Sequence, residues 1–182
     1  LEIYPQARYF CVDPLRDNSV SLGKLKSRFP NVDYWQGCLG SKSDGAILNG
    51  DGDDSSIRRD HVAPYGIQQE VEVEMLDNLI ARRMCPQPDL IKLDVQGYEL
   101  EVLKGASETL ERAMALIIEV SFIRFQSGMP LVHEVIEHLS QCGFVVGDIL
   151  SLGLRPLDYM TGQADVLFLK ESCPIRADRR FE

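Results

Sequence analysis

The stretch Leu90-Ile-Lys-Leu-Asp-Val-Gln-Gly-Tyr-Glu-Leu-Glu-Val-Leu-Lys-Gly-Ala106 decides the fold. Its front half is a short apolar run that stops on Asp94. Its back half switches to helical spacing, with Leu100, Leu103, Ala106 and Leu110 three or four residues apart. Gly97 sits at the junction, where a backbone must turn sharply or come close to a ligand. A buried parallel strand that ends in a carboxylate and passes through a tight turn into a helix belongs to α/β proteins. Such proteins set their chemistry at the C-terminal rim of the sheet.

Working outward, Tyr9–Val12 is a short strand closed by Asp13-Pro14, and Asn18 or Ser19 is placed to cap a helix running to about Arg28. Val32–Gln36 is a second strand ended by Gly37. Residues 40–60, rich in Gly, Asp and Ser, predict a hairpin with an acidic loop. Gln69–Glu74 alternates polar and apolar residues, as a strand with one wetted face does, and Met75–Arg83 is a helix closed by Pro86 and Pro88. A helix is expected from Tyr98 to Arg112, a buried strand over Ala115–Val120, and a helix over Leu131–Cys142 with Pro130 at its start and Gly143 after its end. Phe144–Leu150 and Ala164–Leu169 are expected to pair as antiparallel edge strands. Strands alternating with helices predict an open, Rossmann-like α/β sheet, mostly parallel with an antiparallel edge.

The 182 residues suit one domain, 1–182, with 45% hydrophobic and 26% charged residues. A net charge of −9 argues against nucleic acid, which is bound through clustered Lys and Arg. The cationic cluster Arg176–Arg180 is expected to be a frayed tail. No apolar run approaches the roughly 18 residues needed to span a bilayer, and no membrane partner is expected. Cys11, Cys38, Cys85, Cys142 and Cys173 form no CxxC pair, which suits free thiols in a reducing cytoplasm. Leu1-Glu2-Ile3-Tyr4 resembles the last turn of a helix, so an N-terminally truncated chain is expected.

Three strands end in or near a carboxylate: Asp13, Asp94 and Glu119. Strand C-termini of a doubly wound sheet line one crevice, which would let all three face one ligand. Asp13 either hydrogen-bonds a ribose diol or caps the turn before Pro14. Asp94 either orients a substrate hydroxyl and accepts its proton or caps the following helix. Glu119 lies in an apolar strand, where an ionised group needs a partner. Gly105, within a helical pattern, points to close packing of that helix on the sheet.

Other motifs fail. His133-Glu-Val-Ile-Glu-His138 spaces its histidines five apart, not four as in HExxH, so these are surface histidines. Asp51, Asp53 and Ser55 resemble the start of an EF-hand loop, but Ser56 and Val62 occupy positions that require Gly and Glu. No GxSxG elbow or P-loop occurs, and Gly50 and Gly52 follow no predicted strand. No spacing demands a metal.

Residues 91–106 closely resemble the signature of FkbM-type S-adenosylmethionine-dependent methyltransferases. The likeness extends to Phe10-Cys-Val-Asp-Pro14, Val73-Glu-Met-Leu-Asp77, Leu116-Ile-Ile-Glu119 and Gln163-Ala-Asp-Val-Leu-Phe-Leu169, and so to nearly the whole chain. Gln96 stands where the family most often has Glu. The family's first strand and glycine-rich cofactor loop would precede Leu1, so the sheet is expected to lack its first strand. That strand would lie between those ending at Asp13 and Asp94.

The resemblance implies methyl transfer from S-adenosylmethionine to a hydroxyl of a sugar or natural-product acceptor. On that implication Asp13 holds the ribose, the Gly37-Cys38-Leu39 turn flanks the adenine, and Asp94 sits near the methyl group as positioning residue or base. Glu119 is the reserve candidate. Two other readings stand beside it: a non-catalytic Rossmann-like fragment assembling as a homo-oligomer through exposed sheet edges, and a nucleotide-sugar or dinucleotide enzyme of similar fold.

Overall fold

The apolar runs fold into nine strands and five α-helices among residues 4–50, 57, 67–178 and 180, which the computed structural model describes. In chain order these are β1 (Tyr9–Val12), α1 (Asn18–Arg28), β2 (Val32–Trp35), β3 (Cys38–Leu39), β4 (Asp44–Gly50), β5 (Ile67–Glu74), α2 (Leu76–Ala81) and β6 (Leu90–Leu93). They are followed by α3 (Glu99–Lys104), α4 (Ser107–Arg112), β7 (Ala115–Ser121), α5 (Val132–Gln141), β8 (Phe144–Leu154) and β9 (Thr161–Lys170).

The strands form three sheets, ordered β1-β2, β3-β5-β4 and β6-β7-β9-β8. Among the described residues, β1–β2, β3–β5 and β6–β7 are parallel, while β4–β5, β7–β9 and β8–β9 are antiparallel. The sheet is therefore mixed, with a larger antiparallel share than alternation of strands and helices predicts. Among the described residues, the strands ending at Asp13 and Asp94 lie in different sheets.

In the four-stranded sheet, period-two alternation sends Ile91, Leu93, Leu116, Ile118, Val120, Ala164, Val166 and Phe168 to one face. There they meet Val102 and Leu103 of α3, Leu110 of α4 and Val135 and Leu139 of α5. Each such aliphatic side chain contributes roughly 1.5–3 kcal/mol on full burial. The opposite face carries Leu90, Lys92, Ile117, Glu119, Gln163 and Asp165, all half-buried or exposed. A second, smaller core of Cys38, Leu48, Val71 and Val73 lies under the three-stranded sheet.

Several elements differ from expectation. The hairpin expected within residues 40–60 instead pairs β4 with β5, Asp44 opposite Val73, and its acidic loop, with Asp51, Asp53 and Ser55, lies outside the described residues. So do Leu1–Ile3, where a last helical turn is expected. The single helix over Tyr98–Arg112 is two, α3 and α4, parted at Gly105 and Ala106. Gly105 lies against Gly40, whose carbonyl oxygen would be 1.9 Å from an added Cβ. Close packing does explain this glycine. The cationic tail begins with a 3-10 turn at Pro174–Arg176 beside buried Cys173. His133 is exposed, but His138 is half-buried.

Candidate active site

β6 ends at Leu93, and the chain turns through Asp94–Gly97 into α3. Two successive residues of this turn, Gln96 (φ 49°) and Gly97 (φ 89°), occupy the left-handed region. Glycine takes this conformation freely; glutamine does so at a cost that the surroundings must offset. Part of the offset comes from Glu99, which is only 4% exposed and accepts the Gly97 N–H at 3.0 Å. Burial raises the Glu99 carboxyl above its ordinary range, and backbone N–H groups of the turn partly counter that rise.

The turn brings two of the expected carboxylates together. The Gln96 side-chain amide donates to Asp94 Oδ1 at 3.0 Å and to Glu119 Oε2 at 3.5 Å. Gln163, on β9, donates to the same Glu119 oxygen at 2.7 Å. Lys92 lies 3.0 Å from Asp165 and 3.7 Å from Asp94, and Ser151 donates to Asp165 at 2.8 Å. The rim is thus a polar network along the open sheet face, with Asp94 exposed and Glu119 half-buried. Burial raises the Glu119 carboxyl, as do the charges of Asp94 and Asp165, against the opposing pull of Lys92. The hydrogen bonds from Lys92 and Ser151 lower Asp165. A carboxylate that is raised and hydrogen-bonded beside an exposed acid is suited to take a proton from a hydroxyl.

Asp13 belongs to a second cluster, at the ends of β1 and β2. Its Oδ1 accepts the Leu15 N–H and its Oδ2 the Asn18 amide, both at 2.8 Å, so it does cap the turn into α1. Each oxygen keeps a further lone pair, and the residue is half-buried, so the acid retains capacity to accept two ribose hydroxyls. Its backbone carbonyl accepts the Gly37 N–H at 3.2 Å, which joins the two strand ends. A cavity of about 440 Å³ beside it is lined by Pro14, Arg16, Ser19, Gln36 and Gly37. It adjoins a groove of about 1030 Å³ along β4 and β5 that reaches Tyr98; Asp94 and Glu119 line neither.

The side chains of the Gly37-Cys38-Leu39 turn pack into the protein's cores. Cys38 is buried in the smaller core, where burial and then the Asp13 charge push its thiol up to about 12. Leu39 is half-buried and packs on the larger core. The glycine at 37 is required by Trp35, whose indole carbons would lie 2.4–2.7 Å from an added Cβ. Among the described residues, no cluster of three His, Cys, Asp or Glu could hold a metal ion, and no helix is long and apolar enough to cross a membrane.

Lys92, Glu99, Gln163 and Asp165 also join the site; they lie within the stretches that carry the resemblance, but none is among the residues expected there. Lys92 on β6 and Asp94 just past its end are two residues apart, and Gln163 and Asp165 are two apart on β9 and share a face, which is the signal that could have found them. The register that sets Glu119 opposite Asp165 is not available from local pattern.

Helices packed on mixed parallel and antiparallel sheets make this an α/β fold. The chain belongs to the FkbM family: the Methyltransferase FkbM domain model matches residues 5–146. The crystal structure of Methyltransferase FkbM from Methylobacillus flagellatus is similar in fold, with a TM-score of 0.54 and 16% identity over 90% of this chain and 36% of that one. Over 152 residues the chain is 28% identical to the 2-O-methyltransferase NoeI of Sinorhizobium fredii, covering 72% of this chain and 61% of NoeI. Over 44 residues it is 41% identical to the hexuronic acid methyltransferase AglP of Haloferax volcanii, covering 24% of this chain and 18% of AglP. The chain spans less than two thirds of the length of each of these proteins.

Proposed function

We propose that this methyltransferase domain serves transfer of a methyl group from S-adenosylmethionine to a hydroxyl, on a sugar or a natural-product acceptor. The observation that carries the reading is the Asp94–Gln96–Glu119 bridge at the ends of β6 and β7. The names of the two curated relatives support the hydroxyl and the sugar. Bound S-adenosylmethionine would supply a methyl group already activated on a sulfonium, so alignment and proton removal are what remain for the protein.

Asp13 would hold the ribose hydroxyls, while Gln36 and Gly37 line the cavity beside it. Asp94, exposed at the rim, orients the acceptor hydroxyl. Glu119, held by Gln96 and Gln163, takes its proton, or Asp94 does so itself. Lys92 keeps the cluster from accumulating uncompensated negative charge.

Calorimetric titration with S-adenosylhomocysteine tests the cofactor half of the reading. One-to-one micromolar binding, weakened by Asp13→Ala, is the expected result. Asp94→Ala is expected to keep that binding and lose roughly 10²–10⁴-fold in turnover. Near-normal turnover of that variant would remove Asp94 from the role. Saturable binding of NAD or a nucleotide sugar, with none for S-adenosylhomocysteine, would replace the reading altogether.

A further inference from the structure

The proposed methyl transfer draws on Ser151, Gln163 and Asp165 from the polar side of the β8–β9 hairpin, but not on the concentrated apolar surface that the hairpin also holds. α5 covers the start of β8, where Phe144 is fully buried, and from Val146 onward the strand is exposed. Val146, Ile149, Leu150, Leu152, Leu154, Leu157, Tyr159 and Met160 are each between 44% and 81% exposed. The patch continues past the hairpin. The Phe122 N–H donates to the Gly162 carbonyl at 2.8 Å, and the Phe125 ring lies where a Cβ on Gly162 would be 2.9 Å away. Both phenylalanines are more than 40% exposed. Soluble monomers rarely leave contiguous apolar patches above a few hundred Å² in water. These ten side chains bring the surface to the order of the ~800 Å² per partner that a stable complex buries.

We propose that the occupant is a second copy of this chain, docked hairpin to hairpin about a two-fold axis. Area is the first argument. Charge is the second: the chain carries −9 overall, but between Phe144 and Gly162 its only charged residues are Asp148, Arg155 and Asp158. Arg155 and Asp158 neutralise each other at its tip, and Asp165 is held by Lys92. The third argument is position. Among the described residues β8 is the outermost strand of its sheet, so a second copy can reach the patch from the open side, each copy presenting the same surface about a two-fold axis. Register shifts between Val146 and Asp148, and between Ile149 and Ser151, break the flat ladder. The copies therefore meet through side chains and not by extending the sheet. A lipid surface fits less well, because anionic headgroups call for unpaired Lys or Arg around the apolar residues and Arg155 is paired.

Sedimentation equilibrium of the 182-residue chain at micromolar concentration tests this, alongside two double variants, L152K/L154K and L152E/L154E. Both positions are exposed in the single chain, so thermal unfolding of the variants should match the parent. The parent is expected to have twice the chain mass. Each variant should be monomeric, with association weakened about 100-fold or more by the unpaired charges buried at the contact. An equimolar mixture of the two should recover the dimer. The proposal is overturned by a parent that stays monomeric at hundreds of micromolar, by dimers indifferent to both substitutions, or by a mixture that stays monomeric. A monomeric parent that binds phosphatidylcholine vesicles through the hairpin would assign the patch to membrane instead.

Discussion

Glu119 owes its character to residues that are remote in sequence. Desolvation and the charges of Asp94 and Asp165 favour its neutral form, and the Gln163 amide at 2.7 Å favours its charged form. If its ionised form removes the acceptor proton, turnover rises with pH along a limb centred above the ordinary glutamate value of 4.5. Gln163→Leu deletes a donor to the charged form, so it should move that limb further up. A kcat/KM profile of parent and variant checks both points, and a limb at or below the ordinary value, or one unmoved by the substitution, would count against Glu119 as the base. Asp94 and Glu119 are legible in the sequence because each interrupts or ends an apolar run, where an acid is unexpected on packing grounds alone. Gln163 is not, since an amide at a strand start means nothing until the strand's partner is known.

At the scale of elements, the turn from α3 to α4 shows where local pattern reading stops. Apolar spacing runs unbroken through Gly105, and so predicts one helix. The break comes from two contacts, one with the segment after β3 and one with α2. Gly40 packs against Gly105, and Asp77 of α2 takes the first-turn N–H groups of α4, with Oδ1 accepting from Thr109 at 2.8 Å and Oδ2 from Glu108 at 3.0 Å. That acid sits about thirty residues upstream of the helix end it caps, beyond any capping motif written in sequence. Gly105→Ala would push a methyl group into the Gly40 carbonyl and should destabilise the protein by about 1–3 kcal/mol in chemical denaturation. An unchanged midpoint would mean that the Gly40 backbone yields without cost.

Over the whole molecule, Glu74 ties the three-stranded sheet to α2. The alternation of Gln69–Glu74 puts Glu70, Glu72 and Glu74 on one wetted face, and the first two are exposed. Glu74 is instead buried, because α2 begins directly after it. Its carboxylate accepts from the Ser43 hydroxyl, from Asn78 at 2.8 Å and from the Met75 N–H at 2.9 Å, and pairs with Arg82 at 2.8 Å. The Ser43 and Asn78 hydrogen bonds, with help from Met75 and Arg82, outweigh burial and hold its pKa down to about 2. Because the folded value is depressed, the stabilisation is fully present above the unfolded value of 4.5 and is lost as pH falls through about 2. Acid titration of stability should therefore show a drop in that window, flattened in Glu74→Gln. An identical slope in the variant would shift the origin of the drop to other carboxylates. Removal of the side chain altogether, in Glu74→Ala, takes the acceptor from the half-buried Asn78 amide and Met75 N–H and should cost about 1–3 kcal/mol.

The grip of Glu99 on Gly97 has a consequence for descent. A turn whose brace lies two residues downstream, in the same helix, carries its own scaffold and can pass between genes or drift within a lineage as one short cassette. The Glu119–Gln163 contact depends on a register between distant strands and must be inherited through the whole sheet. Divergence should therefore preserve the first as a recognisable word while the second is rewritten in compensating pairs.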